Sequence, residues 1–290
     1  MIDKSPIVSH IYIVRLRIII LLLLCLCGLK KEAASQDDIQ VVSLNIRYGT
    51  PGDGENKWKS RRERVFTIFN RYKEGIIATQ EGSPLQFDQI LKKVKDLDVV
   101  FRSRTLEDRD GPAHAIFYNK KIWSVEEHTT FWLSDTPDQP ATKSWGNTLP
   151  RIATHVILKN KASGKKLRLL NTLLDYRSQS SRVRSTELIL RMIMTEAEQI
   201  PTILLGGFNV TKDNDVIKRV KEFFTDTYSG DELEGCTFHG YNGGSHCPRI
   251  DYIFYDPSSG LKLNSFEIDR WKSQYFYPSD HYPLVAKFSW

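Results

Sequence analysis

The stretch TILLGGFNV, residues 202–210, decides the fold. Thr202 to Leu205 reads as a buried strand, because β-branched and leucine side chains run uninterrupted between turn signals. Gly206-Gly207 then closes it in a tight turn, and Asn209 stands just beyond the strand's carboxyl end. Strand ends of this kind are where α/β proteins place their chemistry.

Outward from this strand the chain alternates strands and helices. Residues 39–46, 76–81, 114–118, 122–134, 152–159, 166–174, 249–255 and 282–288 have strand character, and 152–159 with 166–174 forms a hairpin about Ser163-Gly164. Helices are expected over 60–73, capped by Ser60, and over 84–96, 180–199 and 213–224. Strands occur in both halves with helices between them. That order suits a layered α/β sandwich, two packed sheets with helices outside.

The first 35 residues stand apart. Lys4, Arg15 and Arg17 precede an apolar run from Ile18 to Leu29, and Ala33-Ala34-Ser35 supplies small residues for cleavage. The run has the length of a signal-peptide core and is short for a membrane span of ~20 residues. A cleaved secretory signal followed by a domain over 36–290 is the expectation. The alternatives are an uncleaved anchor over residues 11–29, which would give the only membrane contact, and a buried core helix. The net charge of +6 carries little weight. Five of the 41 basic and two of the 35 acidic residues fall in this leader, leaving +3. Charge therefore does not indicate nucleic acid as a partner, since dedicated binders concentrate much more positive charge, and nucleic acid stays one of the open partners.

Cys25 and Cys27 lie in the leader, whereas Cys236 and Cys247 flank a glycine-rich loop. In an oxidising compartment this pair is expected to form a disulfide; in a reducing one both would be free thiols. No Cys-x-x-Cys spacing suggests zinc. The sequon Asn209-Val210-Thr211 is discounted as a glycan site, because Asn209 is expected to point into a cleft.

SLNIRYG, ATQEG, FWLSDTP, SWGNTLPRIATHV, GGFN, RIDYIF and SDHYP occur in that order over residues 38–290. Together they resemble the endonuclease/exonuclease/phosphatase family, the metal-dependent phosphoesterases related to pancreatic DNase. The resemblance implies a four-layer α/β sandwich of two mainly antiparallel sheets, a monomer, Mg²⁺ or Mn²⁺ as cofactor, and a phosphate ester as substrate. It implies Glu81 as the principal metal ligand, helped by Asn45, with Asp280 as an outer carboxylate. It implies His281 on the phosphate, Asp251 on its other ring nitrogen, and the Asn209 amide on the scissile group. Arg47, Arg151, Arg177 and Arg182 are candidates for the cleft mouth, where they would favour an anion, with ordinary surface arginine as the alternative for each.

Three departures bear on activity. Gly207 stands where the family's Gly-Asp-Phe-Asn signature has a water-activating aspartate. Leu173, in NTLLD, stands where it has a catalytic histidine, and Pro112 stands where a glutamate pairs with that histidine. Asp110, Asp175 and Asp213 are the carboxylates near enough in sequence to compensate. A base and a charge-stabilising donor are each typically worth ~10²–10⁴ in rate. The site is therefore expected to bind a phosphate ester better than it turns one over. An active hydrolase with another base, and an interaction module on the same fold, are the competing readings.

Overall fold

The computed structural model describes residues 38–195, 198–231 and 234–290. The leader, with its apolar run, Cys25 and Cys27, lies outside the described residues. Among the described residues no helix is long and apolar enough to cross a membrane.

Among the described residues, twelve strands form two six-stranded sheets. The first holds β1 (Asp38–Asn45), β2 (Ile76–Gly82), β3 (Leu97–Ser103), β4 (Ala113–Asn119), β11 (Lys262–Ile268) and β12 (Leu284–Ser289), in the order β11-β12-β1-β2-β4-β3. The second holds β5 (Trp123–Trp132), β6 (Ile152–Asn160), β7 (Lys166–Leu173), β8 (Thr202–Gly207), β9 (Thr225–Asp226) and β10 (Asp251–Tyr255), in the order β5-β6-β7-β8-β10-β9. Each sheet has one parallel pair, β1–β2 and β7–β8, and is otherwise antiparallel.

Alternation along the strands builds the layers. Val41, Ile76, Ile116 and Leu284 of the first sheet meet Val156, Leu169, Ile203, Leu205 and Ile253 of the second in one central core. On the outer face of the first sheet, Val42, Ile77 and Phe117 pack on α1 (Trp58–Arg71) and α2 (Pro84–Lys93) through Val65, Phe69, Phe87 and Ile90. On the outer face of the second, Leu170, Leu204 and Phe254 pack on α3 (Gln179–Met194) and α4 (Asp215–Val220) through Leu188, Ile189, Val216 and Ile217. The result is the expected four-layer sandwich.

Several boundaries differ from expectation. Lys57, not Ser60, occupies the N-cap of α1. The helix begun at Pro84 stops at Lys93, because Val94 turns extended to feed β3. The helix expected to reach residue 199 ends at Met194, where the Thr195 hydroxyl bonds back to the Arg191 carbonyl at 2.9 Å. The helix expected over 213–224 is reduced to Asp215–Val220 behind an Asn214 cap. β3, β9 and β11 are additional strands. All three lie at sheet edges and leave most of their residues partly or fully exposed, which weakens the alternation that marks a half-buried strand.

Candidate functional site

The two parallel pairs bring four strand ends to one edge of the sandwich. In the first sheet Asn45 is in register with Gln80, so Asn45 and Glu81 emerge side by side. The β2–β4 register shifts between Thr79 and Gly82, and Glu81 takes a left-handed backbone with φ 56°. Such a bulge re-aims a side chain at a conformational cost of about 1–3 kcal/mol. Asn45 is buried, and its Oδ1 accepts the Arg47 amide at 2.9 Å. The Arg47 guanidinium donates to Asp53 at 2.8 Å and to Asp280 at 3.0 Å. The Ser279 hydroxyl donates to the Asn45 carbonyl at 2.6 Å, which ties the turn before β12 to the end of β1.

Arg61 holds this corner from behind. Its fully buried guanidinium donates to the carbonyls of Ile46 (2.6 Å), Arg47 (2.6 Å), Asn56 (2.9 Å) and Pro278 (3.1 Å). Sequence reasoning missed it, because within KSRRER nothing separates a strut from surface charge.

In the second sheet Leu173, Gly207 and Asp251 lie in one row across β7, β8 and β10. Two residues further in, Leu205 and Ile253 belong to the central core and Asn171 accepts a hydrogen bond from Gln80 of the first sheet at 2.7 Å, so this row lies just outside the inter-sheet core at the strand ends. Gly206 has φ 128°, and a Cβ there would stand 1.9 Å from the Thr172 carbonyl, so glycine is required. Gly207 is constrained differently. A Cβ there would stand 2.4 Å from Leu173 Cδ1 and 3.3 Å from Asp251 Oδ1. Leu173 therefore fills the space that a side chain at position 207 would need.

His281 is buried, and its Nδ1 lies 2.7 Å from Asp251 Oδ2. Burial alone would lower its pKa. The charge and hydrogen bond of Asp251, with Asp280 and Glu81 beyond, reverse this and push it up to about 9. The imidazole is thus a cation at neutral pH, suited to hold an anion. Asp251 Oδ1 is buried and has no hydrogen-bond partner among the described residues. Asn209 takes φ 56°, and its Nδ2 donates to the Leu174 carbonyl at 2.8 Å, so one amide proton is held by backbone. That placement agrees with discounting the sequon.

The three candidate replacement carboxylates are placed elsewhere. Asp175 is wholly buried: Oδ1 accepts the Arg177 and Ser178 amides at 2.9 and 2.8 Å, and Oδ2 pairs with Arg151 at 3.2 Å. Burial opposes its ionisation, but these partners overcome that and hold it below the usual carboxylate range. Asp110 and Asp213 are exposed on loops. Pro112 sits beside the end of β3, its carbonyl accepting the Arg104 amide at 3.0 Å.

Two expected cleft arginines are corrected. Arg182 is buried against its own helix turn, donating to the Asp175 carbonyl at 2.7 Å and to Gln179 Oε1 at 2.8 Å, and does not line the mouth as a free cation. Arg151 is likewise buried in its pair with Asp175. Arg177 is exposed over the Tyr176 ring. His114 was not foreseen as part of this region. On the alternating strand HAIFY it shares the inward face with Ile116, and burial followed by the charges of Arg104 and Arg151 pushes it down to about 3.

The oxygen donors at the first corner are the Glu81 carboxylate, the Asn45 amide and the Asp280 carboxylate. Mg²⁺ takes hard oxygen ligands and keeps most of its water when one or two carboxylates hold it. The donor set would suit such a water-rich site, in which Glu81 would be the carboxylate anchor. It does not fit a closed cage. Asp280 is already paired with Arg47, and among the described residues no cluster of three or more His, Cys, Asp or Glu could hold a metal. A bound divalent cation there would neutralise phosphate charge.

Cys236 and Cys247 are joined in a disulfide. The loop they close packs behind the turn that carries Asp280 and His281.

Comparison with known proteins agrees with this geometry. The sequence model of the endonuclease/exonuclease/phosphatase family matches residues 42–281. An endonuclease/exonuclease/phosphatase from Bacteroides vulgatus is 30% identical, with TM-score 0.81, covering 87% of this chain and 98% of its own. A mannosyl-6-phosphatase from Bacteroides thetaiotaomicron is 25% identical, with TM-score 0.78, covering 87% of this chain and 100% of its own. The catalytic domain of human Nocturnin, solved with bound sulfate, shares the fold at 20% identity and TM-score 0.69, covering 88% of this chain and 94% of its own. A comparison with curated proteins finds no match. With its two sheets, its strand-end residues and a match over most of its length, the chain belongs to the endonuclease/exonuclease/phosphatase family.

Proposed function

We propose that this chain is a phosphate-ester-binding member of its family, of the secretory pathway, whose hydrolytic site is impaired. One observation carries this reading: an apolar side chain, Leu173, fills the space in which a side chain at Gly207 would stand. A leucine methyl can neither deprotonate water nor donate to a phosphoryl oxygen. Asp175 supports the same reading, because Arg151 and two backbone amides already engage its carboxylate.

The remaining residues have work suited to binding. His281, as a cation, would donate from Nε2 to a phosphoryl oxygen while Asp251 fixes the ring through Nδ1. Asn209 would supply its second amide proton. Glu81 and Asn45 would anchor Mg²⁺ or Mn²⁺ beside the ester. The signal-like leader supports secretion, and retention on a membrane by residues 11–29 is the other outcome. A sugar phosphate monoester is the first ligand to test, because the neighbour at 25% identity is named a mannosyl-6-phosphatase.

An active hydrolase is the second reading, and Asp251 Oδ1 favours it. This unbonded carboxylate oxygen lies 3.3 Å from the Cβ position of Gly207. It is the nearest polar atom to that point, whereas Leu173 Cδ1 is closer still and apolar.

The experiment compares metal-dependent hydrolysis of a phosphodiester, a phosphomonoester and nucleic acids by the natural protein and by the Gly207→Asp, Leu173→His double variant. A silent natural protein and an active double variant support the impaired site. Turnover by the natural protein that is lost in both Glu81→Ala and Asp251→Asn supports the second reading and sinks the first.

A further inference from the structure

The two halves of the site belong to different sheets. Asp251 opens β10 in the second sheet, whereas Asp280 and His281 lie in the turn that feeds β12 in the first. Nothing in the sheet ladders joins these segments at the cleft, because β10 and β12 are not partners. Yet the Asp251–His281 bond requires their placement to within a few tenths of an ångström.

The loop between Cys236 and Cys247 makes that connection, and it does so on both sides. Toward the second sheet, the buried Thr237 Oγ1 accepts the backbone amides of Ile250 (3.0 Å) and Asp251 (3.1 Å). The Ile250 carbonyl in turn accepts the amides of Phe208 (2.8 Å) and Asn209 (3.3 Å), so one hydroxyl stands behind both Asp251 and the Asn209 turn. Toward the first sheet, the Thr237 carbonyl accepts the Tyr282 amide at 2.8 Å. The amides of His239 and Gly240 donate to the Asp280 carbonyl at 2.9 and 3.0 Å. Phe238 forms an isolated bridge with His281, with its ring 4.9 Å from the imidazole. The His239 ring stacks on Tyr282 at 4.0 Å.

Cys236 is wholly buried against Tyr277 and Tyr282, so the disulfide anchors one end of this loop in a small core of its own. Without the cross-link, the ends of the segment from 236 to 247 would no longer be held together. Ordering it would then cost more conformational entropy.

We propose that the loop closed by Cys236 and Cys247 is a strap that fastens the two sheets' contributions to the site, with Thr237 as the positioning residue that sets Asp251 against His281. Thr237 touches no reacting atom in this reading; it acts through the backbone of Asp251 and Tyr282. The ligand used to test it rests on the phosphate-ester reading above, but the strap itself does not.

The test uses the full chain with Thr237→Val, Thr237→Ser and the Cys236→Ser, Cys247→Ser pair. Two quantities are measured: amide hydrogen exchange at Ile250, Asp251, His239 and Tyr282, and binding of inorganic phosphate with Mg²⁺ by calorimetry. Valine keeps the shape of threonine and removes the acceptor. Thr237→Val should speed exchange at Ile250 and Asp251 about tenfold and weaken phosphate about tenfold, the scale of one displaced hydrogen-bonding group. Thr237→Ser should restore both. The cysteine pair variant should speed exchange at His239 and Tyr282 by at least as much. Wild-type exchange and affinity in Thr237→Val, or failure of Thr237→Ser to restore them, would overturn the proposal. If the natural protein binds no phosphate, the phosphate-ester reading fails while the exchange measurements still decide the strap. If the cysteine variant does not fold, the two Thr237 variants decide alone.

Discussion

Leu173 Cδ1 lies 2.4 Å from the point where a Cβ on Gly207 would stand, so the two residues share one volume. Contact at that distance forces a side chain or the backbone to move, at a typical cost of about 1–3 kcal/mol. Gly207→Ala alone should therefore destabilise the protein by about that amount. Leu173→Ala alone should cost about 2–4 kcal/mol through the cavity it leaves. The double variant should fall short of the sum by about 1 kcal/mol or more, because truncating Leu173 opens the space that the added methyl group needs. Denaturant melts of the four proteins check this, and strict additivity would show that the two positions do not share space. The same coupling means that Gly207→Asp should be tolerated only together with a smaller or reoriented group at 173.

Three buried histidines make stability depend on pH in opposite senses. His281 is raised to about 9, so the folded state binds more protons than the unfolded one between the ordinary histidine value of about 6.5 and 9. Its contribution is fully present below about 6.5 and is lost as pH rises through 9. His114 and His239 are lowered to about 3 and about 4, both first by burial. The unfolded state then binds the extra protons, and stability is lost as pH falls from about 6.5 toward those values. Each titrating proton contributes a slope of at most about 1.4 kcal/mol per pH unit. Melts across pH 4–9 should show a maximum near neutrality. His281→Gln should flatten the alkaline limb, and His114→Gln should flatten part of the acid limb.

The fold was legible because alternation and turns mark interior strands well. Val41 to Asn45, Ile76 to Gln80 and Thr202 to Leu205 are buried on both faces, and their runs are plain in the sequence. The edge strands β3, β9 and β11 were not legible: β9 is two residues long, and most side chains of β3 and β11 stay partly or fully exposed, so burial does not impose a plain alternation on them. At the site, motif order located Asn45, Glu81, Asn209, Asp251 and His281 at strand ends. It could not foresee that Arg182 turns back onto Gln179, or that Thr237 stands behind Asp251. Those facts depend on which carbonyl or amide a side chain finds nearby, and hydrogen bonds of this local kind leave no periodic trace.

Arg61 should behave as a core residue despite its charge. Its guanidinium satisfies four carbonyls that hold the β1 end to the turn before Asp280. Burial pulls its pKa down, but not enough to discharge a guanidinium. Arg61→Leu removes every donor and leaves buried acceptors, each costing about 1–3 kcal/mol. A loss of about 4 kcal/mol or more is expected in urea melts. Arg61→Lys, with one compact ammonium and no planar fork, should recover less than half of it. A loss under ~1 kcal/mol for Arg61→Leu would show that water replaces the guanidinium freely.

Arg47 sets how strongly the first corner can attract a divalent cation. It pairs with Asp280 at 3.0 Å and with Asp53 at 2.8 Å, so it withholds a carboxylate from the corner and adds a positive charge to it. Its own pKa is raised, by the hydrogen bond to Asp53 first, and it stays charged at any working pH. A cation at Glu81 and Asn45 would meet that charge at close range. Replacing Arg47 with methionine keeps much of the apolar stem, frees Asp280 and removes the repulsion. Binding of Mg²⁺ to the apo protein should tighten by about tenfold, equivalent to ~1.4 kcal/mol. Phosphate without metal should weaken over the same substitution, because an anion loses a cationic neighbour. Titration calorimetry with each ion alone separates the two effects. If Mg²⁺ weakens in Arg47→Met, the arginine orders Asp280 for the metal instead of competing with it, and Asp280 is then a working member of the cation site.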